Sequence, residues 1–457
     1  MGPGATTSRT QVNNARLATN SQHVFQWRGR GPIRISGAND KLQVIQRSVA
    51  NYARTSRMIQ QFNGVNSSRK QHLAKLAASD SSAEDLPNIP VWDDSEWTPF
   101  ASLGGDARCG TCVVGLGGSG LTAIEELLNR GDDVIAIDAM DVGSGAAGRN
   151  GGFLLAGAYD FYHDAVRLHG AKRARTIYDA TLAEIHRIDE AAPNCTYWVG
   201  SRRLAASDWE IADCRQQMRA MQSEKLLVEW YEGEDGIGLT FASDAAFNPL
   251  ARCRTLALRA QSRGARLYSQ TPVTSLQPNQ VVTPHGRIAC ERIIVAVDGK
   301  LEFLLPELEG NVRTARLQML ATAPTTERVV PCPTYYREGY EYWSQLPNGS
   351  IALGGFRDQA GESEWTASTT PANPVQSQLE KFLREKLGVH APVTHRWAAS
   401  AGYSHNGLPV LRKVREGIWA IGGYSGTGNV IGALCGRAVV AMALDGNSRL
   451  AEQLVPF

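Results

Sequence analysis

Three glycines with the spacing Gly115-x-Gly117-x-x-Gly120 stand between an apolar run and a stretch with helical periodicity. The first glycine permits a tight turn, the second lets a diphosphate approach the backbone, and the third lets the helix pack closely on the strand. A helix N-terminus offers free N–H groups and the positive end of its dipole, so Gly118 and Ser119 would meet the phosphates. The spacing therefore predicts a dinucleotide-binding turn.

The elements that must position this turn follow in register. The pattern predicts, in order, a strand ending at residue 114, a helix over 119–130, a stop at Gly131 and a second strand over 134–137. Asp138 then closes the β-α-β unit, with Ala139 beside it, and is placed to accept hydrogen bonds from the ribose of a dinucleotide.

A second glycine run, GSGAAGRNGG at residues 143–152, follows directly. A nicotinamide dehydrogenase does not need this loop, whereas a flavin ring must lie against backbone with no side chain between them. Gly148, Gly151 and Gly152 give that clearance. Arg149 could meet the diphosphate or the flavin edge, and Asn150 could supply side-chain hydrogen bonds. The run favours FAD over NAD; a surface loop with a solvated arginine is the alternative.

A third glycine run lies near the C-terminus, after the apolar segment GIWAIGG. Its candidate cofactor-binding residues are Gly423, Tyr424, Ser425, Gly426, Thr427 and Gly428. The pattern predicts a strand, a loop and then a helix whose N-terminus faces the cofactor. Its N–H groups would stabilise the negative charge that develops on a flavin as it accepts a hydride. A simple helix-capping loop remains the alternative.

Together these segments resemble the FAD-dependent oxidoreductases of the D-amino-acid oxidase superfamily, close to its γ-glutamylputrescine oxidoreductase branch. The resemblance extends over about residues 87–450 and includes NPLARCRTLALRAQSRGARLYSQTPVTSL and RIIVAVDGK. It implies that Val273 contacts the adenine and that Gly299 lies beside the cofactor. Sarcosine oxidases of this superfamily attach their flavin to a cysteine, and none lies between Arg396 and Asn406. The resemblance thus implies non-covalent FAD.

The substrate side is expected around TYYREGYEYWSQLPNGSIALGGFRD, whose alternating runs flank a Pro-Asn-Gly turn and predict a hairpin. Its aromatic residues are Tyr336, Tyr340, Tyr342 and Trp343. They could form an aromatic wall that holds a cationic amine against ring faces. Tyr336 and Tyr342 are the catalytic candidates there, and His405 is a third, as a base near neutral pH. Core packing of the tyrosines and a structural histidine are the alternatives.

Two positions depart from the family pattern: Asn406 replaces the usual Asp, and Ala401 falls near the expected substrate-binding arginine. Without that arginine, a substrate carboxylate loses the two parallel hydrogen bonds that a guanidinium would donate. The departures favour an amine, or an amino acid held by Arg337 or Arg357. A neutral amine could transfer its α-hydride to the flavin without a strong protein base.

The expected activity is oxidation of the C–N bond of a primary or secondary amine, or of an amino acid. Molecular oxygen is the expected acceptor and hydrogen peroxide the product. The expected partner is a small molecule, with no metal, nucleic acid or membrane span. A flavin dehydrogenase with another acceptor, and a flavoprotein without amine oxidase activity, are the alternatives. The Gly-Asp motif of flavin hydroxylases is missing.

The chain has 457 residues, 43% hydrophobic and 20% charged, which suits a globular protein of two domains. The predicted fold class is α/β, with a Rossmann-like FAD-binding domain interleaved with an α+β substrate domain of antiparallel sheet and helices. The FAD-binding domain is expected to comprise residues 87–160, 246–301 and 396–457. The substrate domain would comprise 161–245 and 302–395, after a basic extension over 1–86.

Residues 1–79 are rich in arginine and lysine, and their only acidic residue is Asp40. Such a leader is typical of a mitochondrial or plastid transit peptide, or else is a disordered extension of a cytoplasmic protein. Eight cysteines without a hydrophobic secretory segment predict free thiols in a reducing, intracellular compartment. In CGTC, Cys109 and Cys112 would point to opposite faces of a strand, so a redox pair is not expected.

Overall fold

The computed structural model describes residues 86–93 and 96–455, so the predicted transit peptide lies outside the described residues. The strands are β1 Ala107–Val114, β2 Val134–Ile137, β3 Phe153–Leu154, β4 Thr196–Tyr197, β5 Ser201–Leu204, β6 Glu229–Gly233, β7 Gly236–Phe241, β8 Ala245–Phe247, β9 Arg266–Tyr268, β10 Ser275–Gln277, β11 Gln280–Thr283, β12 Gly286–Val295, β13 Val312–Thr322, β14 Thr334–Tyr336, β15 Glu341–Gln345, β16 Ile351–Gly354, β17 Val393–Ser404, β18 Val410–Arg415 and β19 Ile418–Gly422. The helices are α1 Gly118–Asn129, α2 Ala146–Arg149, α3 Tyr162–His169, α4 Ala171–Ala191, α5 Asp208–Ser223, α6 Pro249–Ser262, α7 Leu301–Leu304, α8 Arg357–Ala360, α9 Asn373–Glu385, α10 Ile431–Asp445 and α11 Arg449–Leu454.

The first sheet has the strand order β9-β2-β1-β12-β11-β10, and β12 also pairs with β19, which pairs with β18. The strands β9, β2, β1, β12 and β19 are parallel. Parallel strands covered by helices on both faces are apolar throughout, and every residue of β2 is buried. This is the Rossmann-like sheet that the first glycine motif predicts.

The second sheet has the order β17-β13-β16-β15-β14-β5-β7-β6. Its pairs are antiparallel except that β14 runs parallel to β5. A third sheet, in the order β3-β8-β4, connects the strand after the second glycine run to the strand before α6. The α/β fold with a second, mainly antiparallel sheet is confirmed.

The two large sheets interleave along the chain. Strands of the first sheet come from residues 107–137, 266–295 and 410–422, and those of the second from 201–241, 312–354 and 393–404. The expected domain boundary at residue 396 falls inside β17, which belongs to the second sheet. In the described part of the chain, no helix has both the length and the apolar character needed to cross a bilayer.

The helix α1 is positioned by two close contacts. Its apolar face is fully buried, with Leu121, Ile124 and Leu127 at 0% exposure, against the first sheet. On another side it packs against α10, where a Cβ at Gly436 would lie 2.5 Å from Ser119 O. A glycine at that crossing lets the two backbones approach, so the N-terminus of α1 is held in place from two directions.

Local predictions agree with the structure at most elements. The strand at 134–137 is confirmed, and α1 begins and ends one residue before the predicted bounds. The hairpin around Pro347-Asn348-Gly349 is confirmed by the antiparallel pairing of β15 with β16. Gly170 separates α3 from α4, because its φ of +82° ends the first helix before the second begins.

In the CGTC segment, the predicted opposite facing of Cys109 and Cys112 was wrong. The N–H groups of Gly110 and Thr111 both donate to Asp133 O, at 2.9 and 3.0 Å, so the strand contains a bulge there. The extra residue brings Cys109 and Cys112 into the same apolar cluster rather than onto opposite faces. All eight cysteines are buried and free, as the composition predicts.

Candidate active site

A cavity of about 190 Å³ lies where the glycine loops of the first sheet meet the second sheet. One wall comes from Asn150, Gly151 and the loop residues Ser425, Gly426 and Thr427. The opposite wall is rich in aromatic rings, mostly from the second sheet, and carries a few charged side chains from the segments that connect the strands. Those second-wall residues include Phe241, Tyr335, Glu338, Tyr340, Tyr342, Arg357 and Tyr403. The cavity thus joins two of the predicted cofactor loops to the predicted substrate region.

The first glycine turn has the shape of a phosphate-binding turn. Gly115 has a φ of +113°, and a Cβ at Gly120 would lie 2.0 Å from Gly115 O, so neither position accepts another residue. Gly117, the N-cap of α1, makes no side-chain capping bond, and Gly118 begins the helix beside it. The first N–H groups of α1 thus remain available to a ligand.

Asp138 lies at the end of β2, as predicted, but its carboxylate already holds the backbone. Its Oδ2 accepts a hydrogen bond from Leu116 N at 2.9 Å, and its Oδ1 accepts one from Met140 N at 2.8 Å. Burial raises the pKa of this carboxyl group, and the two backbone donors oppose that rise. Asp138 therefore fixes the glycine turn. Its neighbour Ala139 is exposed.

The second and third glycine runs are tied together by an amide pair. Asn150 Nδ2 donates to Asn429 Oδ1, and Asn429 Nδ2 donates to Asn150 Oδ1, both at 3.0 Å. Asn150 Oδ1 also accepts from Gly152 N at 2.9 Å. This pair sets the width of the cavity between the two loops.

Arg149 holds the second loop to the protein. Its Nε donates to Ala398 O at 3.0 Å, and its Nη2 donates to Asn88 O at 2.7 Å. Burial lowers the pKa of this guanidinium. These bonds direct the side chain toward β17 and residue 88, and Arg149 is not among the described residues that line the cavity.

The glycines of these loops have different neighbours. A Cβ at Gly148 would lie 2.3 Å from Gly143 O, and one at Gly152 would lie 2.5 Å from Phe247 O. At both positions another backbone segment lies too close to leave room for a side chain. At Gly426, by contrast, a Cβ would meet only Tyr403 Oη at 3.9 Å, so this glycine faces open space.

The remaining predicted cofactor residues lie around the same edge. Val273 is partly buried against the first sheet, two residues after Thr271, whose N–H donates to Asp138 O at 2.7 Å. Gly299 is buried where β17 passes, with Ser400 O 2.6 Å from its potential Cβ. Tyr424 is buried beside Gly432 at the start of α10. Gly423 has a φ of +62° and Gly428 packs beside Tyr424.

The aromatic cluster divides between two faces of the second sheet. Tyr340 and Tyr342 line the cavity, as predicted. Tyr336 does not; its ring lies 5.9 Å from that of Phe382, and Trp343 packs on Phe382 at 5.6 Å. Because neighbouring residues of a strand point to opposite faces, Tyr335 occupies the place expected for Tyr336. Tyr336 is therefore no longer a candidate for contact with substrate.

His405 is not part of the cavity either. Its side chain is exposed in the turn after β17, and its backbone N–H donates to Asn311 O at 3.2 Å. Asn406 is also exposed and caps that turn by accepting from Leu408 N. The strand alternation and the turn carry His405 away from the glycine loops, so it is withdrawn as a candidate base.

Of the two candidate arginines, only Arg357 lines the cavity. Its Cζ lies 4.5 Å from the ring centre of Tyr403 and 5.1 Å from that of Trp365. Arg337 instead forms ion pairs with Glu341 and Asp358, each with a closest distance of 2.6 Å. The residue that precedes Arg357, Phe356, has a left-handed φ of +60°, which turns the chain so that α8 starts at the cavity wall.

Two acidic side chains also belong to the wall. Asp244 accepts hydrogen bonds from Ala156 N at 2.9 Å and from Ser201 Oγ at 2.6 Å. Glu338 is 8% exposed and sits in a tight turn with a φ of +57°. No histidine or lysine is among the described residues that line the cavity.

Residues 111–442 match the family model described as FAD dependent oxidoreductase, abbreviated DAO. The chain belongs to this FAD-dependent oxidoreductase family. It is accordingly an enzyme whose cofactor is FAD, and the paired glycine loops are the part of the fold that fits such a dinucleotide.

Family relatives match about three quarters to four fifths of this chain. A probable oxidoreductase, OrdL, of Rhizobium meliloti is 24% identical over 80% of this chain and 88% of its own. The γ-glutamylputrescine oxidoreductase of Escherichia coli is 24% identical over 76% of this chain and 86% of its own. The solved glycine oxidase from Geobacillus kaustophilus has a TM-score of 0.64 and 17% identity, covering 77% of this chain and 99% of that one.

Sequence reasoning missed several residues of this family site. Tyr335 directly precedes the predicted candidate, Tyr336. The alternation of side chains between the two faces of β14 was the signal that could have identified it. Asn429 directly follows the third glycine loop, and its amide is of the type that ties loops together. Tyr159 and Tyr403 also line the cavity. No local pattern distinguishes these two, because segments far apart in sequence bring them there.

Proposed function

We propose that this oxidoreductase oxidises the C–N bond of an amine that also carries a carboxylate, either an amino acid or a longer amino compound. The substrate loses a hydride from the carbon next to nitrogen, forming an imine that hydrolyses to an aldehyde or keto acid. FAD, when bound, supplies the hydride acceptor. The observation that carries the proposal is the presence of Arg357 in the aromatic-rich wall of the cavity beside the cofactor loops.

The aromatic wall suits the amine end of such a substrate. Tyr335, Tyr340 and Tyr342 present rings to the cavity, and a ring face attracts a cationic amine. The same apolar surfaces exclude water from the reacting carbon and fix its orientation. The relatives named for γ-glutamylputrescine and glycine support amine and amino-acid substrates.

Arg357 suits the carboxylate end. A guanidinium binds a carboxylate through two parallel hydrogen bonds, and this one stacks on the ring of Tyr403 in the cavity wall. The stacking limits the rotamers of the arginine, so less entropy is lost when substrate binds. The function expected of the family's usual arginine, missing at Ala401, is thereby proposed for Arg357.

The tyrosines of the wall do not act as bases at neutral pH. Burial raises the pKa of Tyr340 to about 12 and raises that of Tyr342 as well, so both hydroxyls stay protonated at neutral pH. They can donate hydrogen bonds but do not accept the substrate's proton. We therefore propose that the amine releases its proton to solvent water as it binds and reacts in its neutral form. The protein then contributes position and water exclusion rather than proton abstraction.

The residues proposed to hold FAD are those of the three glycine loops. The turn from Gly115 to Gly120 would bind the diphosphate, Asp138 and Val273 would lie along the adenosine, and the loop from Ser425 to Thr427 would face the flavin. We propose non-covalent binding, which is supported by the lack of cysteine and histidine among the described cavity residues.

The proposal is tested by mixing the full-length holoenzyme anaerobically with candidate donors and recording the oxidised-flavin absorbance. The panel contains glycine, sarcosine, larger amino acids, putrescine and γ-glutamylputrescine. Bleaching by a carboxylate-bearing amine, and not by putrescine, is the expected result. Admission of air should then restore the absorbance with formation of hydrogen peroxide. Restoration only by a dye would assign a non-oxygen acceptor, and no bleaching by any donor would reject amine oxidation.

The role of Arg357 is tested with Arg357→Met. Loss of a charge-assisted pair should raise KM for a carboxylate-bearing substrate by about 10- to 100-fold. Arg313→Met is the matched control, because Arg313 also stacks on Trp365, at 4.4 Å, but is exposed and paired with Glu362. Equal effects of the two substitutions on KM would contradict the proposed carboxylate site.

A further inference from the structure

A buried arginine lies against the first turn of the dinucleotide-binding helix. Arg252, in the first turn of α6, is only 4% exposed. Its Nη1 lies 2.9 Å from the position that a Cβ on Gly118 would take, and its Nη2 lies 3.4 Å from Thr122 Oγ1. Gly118 and Thr122 are one turn apart on α1, so the guanidinium covers the N-terminal end of that helix.

The charge of Arg252 is poorly compensated by the protein. Its Nε has no hydrogen-bond partner, and burial lowers the pKa of the group. The two carboxylates that interact electrostatically with Arg252 are Glu125 and Glu184, and both are bound by other arginines. Those ion pairs are Glu125 with Arg259, and Glu184 with Arg187 and Arg437.

The surrounding helices make this position less favourable still for a cation. Arg252 lies in the first turn of its own helix and against the first turn of α1, and both helix N-termini carry partial positive charge. At the N-terminus of α1, the N-cap residue is Gly117, which has no side chain to cap the helix. The N-terminus of α6 is capped by Asn248 Oδ1, which accepts from Ala251 N, so the uncapped N-terminus beside Arg252 is that of α1. A buried cation beside that N-terminus is stabilised by an anion placed between them.

We propose that Arg252 binds the diphosphate of the dinucleotide cofactor, completing the site formed by the glycine turn and the N-terminus of α1. A diphosphate is the anion that fits, since the adjacent turn from Gly115 to Gly120 has the dinucleotide-binding shape. Gly118 supplies no side chain to that anion, and the guanidinium of Arg252 occupies the space left by its missing Cβ. The inference rests on the FAD dependence of the family and not on the proposed substrate.

The test is the rate of FAD release from the full-length holoenzyme after dilution, followed by the rise in flavin fluorescence. Arg252→Met should release FAD about 10- to 100-fold faster, because a charge-assisted contact to the phosphates is lost. Arg252→Lys keeps the charge but not the planar geometry. Its rate of FAD release should therefore lie between those of Arg252→Met and the parent protein. Arg254→Met is the matched control on the same helix, since Arg254 pairs with Asp93 at 2.7 Å, and it should leave release unchanged.

Two further measurements separate this role from a purely structural one. In the flavin-stripped protein, Arg252→Met should not lower Tm, because an uncompensated charge is removed. The same variant should weaken binding of ADP while leaving binding of adenosine unchanged. Unaltered FAD release would overturn the proposal, and so would a lower Tm with equal loss of ADP and adenosine binding. None of these readouts uses an amine, so failure of the proposed substrate would not affect them.

Discussion

At the scale of single residues, the cavity wall depends on which of two adjacent tyrosines faces inward. Tyr335 and Tyr342 are cross-strand partners in β14 and β15, and both line the cavity. Tyr336 lies on the other face, where its ring packs near Phe382 and Lys386 Nζ lies 5.0 Å from its centre. Strand alternation thus gives one tyrosine a role in binding and its neighbour a role in packing.

This division predicts different results for matched substitutions. Tyr342→Leu removes a ring face from the cavity, and we expect KM for the amine substrate to rise about 3- to 30-fold. Tyr336→Leu should lower Tm but leave KM unchanged. Steady-state kinetics and thermal unfolding of both variants provide the comparison. A larger KM change in Tyr336→Leu than in Tyr342→Leu would reverse the assignment of faces.

At the scale of secondary-structure elements, the turn between β1 and α1 controls how closely the helix approaches the sheet. The potential Cβ of Gly120 meets the backbone oxygen of Gly115 and, at 3.5 Å, the Cβ of Ala296 on the strand beside it. Backbone atoms cannot move aside as a flexible side chain can. The turn, the helix and the neighbouring strand therefore form one unit that tolerates no added atom.

Gly120→Ala should consequently destabilise the protein by about 1–3 kcal/mol, the usual cost of overpacking, and weaken FAD retention. Gly145→Ala is the control, because nothing lies within 4 Å of a Cβ at that position and the glycine is also a helix N-cap. Chemical unfolding and the ratio of flavin to protein report the two effects. A Gly120→Ala protein with full FAD content and parental stability would show that the turn can adjust.

At the scale of the whole molecule, Asp298 links the two sheets. It follows β12 of the first sheet, and its carboxylate accepts from Gly402 N on β17 and from Tyr424 N in the third glycine loop, each at 3.2 Å. Burial raises the pKa of Asp298 to about 6, although these backbone donors oppose the rise. The carboxyl group therefore titrates near physiological pH at the junction between the sheets.

The sign of the resulting pH dependence follows from that raised pKa. A group whose pKa is higher in the folded state stabilises the protein below its unfolded value, and this stabilisation is lost as pH rises through the folded value. The Tm of the parent protein minus that of Asp298→Asn should therefore decrease from pH 4 to pH 7, since asparagine does not titrate. Thermal unfolding at several pH values with saturating FAD measures this difference. A constant difference would mean that the pKa of Asp298 is not raised.

The local features of this protein follow from its sequence alone. The glycine turn before α1, the bounds of β2 and the hairpin between β15 and β16 follow from backbone sterics and from side-chain periodicity, which act over a few residues. Those segments, together with the later glycine loops, also sufficed to indicate the FAD-dependent family. Helix ends and strand positions needed only small adjustments.

Which side chains share the site depends on the tertiary fold. Arg357, Tyr403 and Asn429 reach the cavity from three separate segments, while His405 and Tyr336 leave it. Arg252 and Gly118 are more than a hundred residues apart in the chain. The charge of Arg252 reaches the glycine turn only because α6 packs against α1. A contact of this kind depends on strand order and helix packing, which no short window of sequence contains.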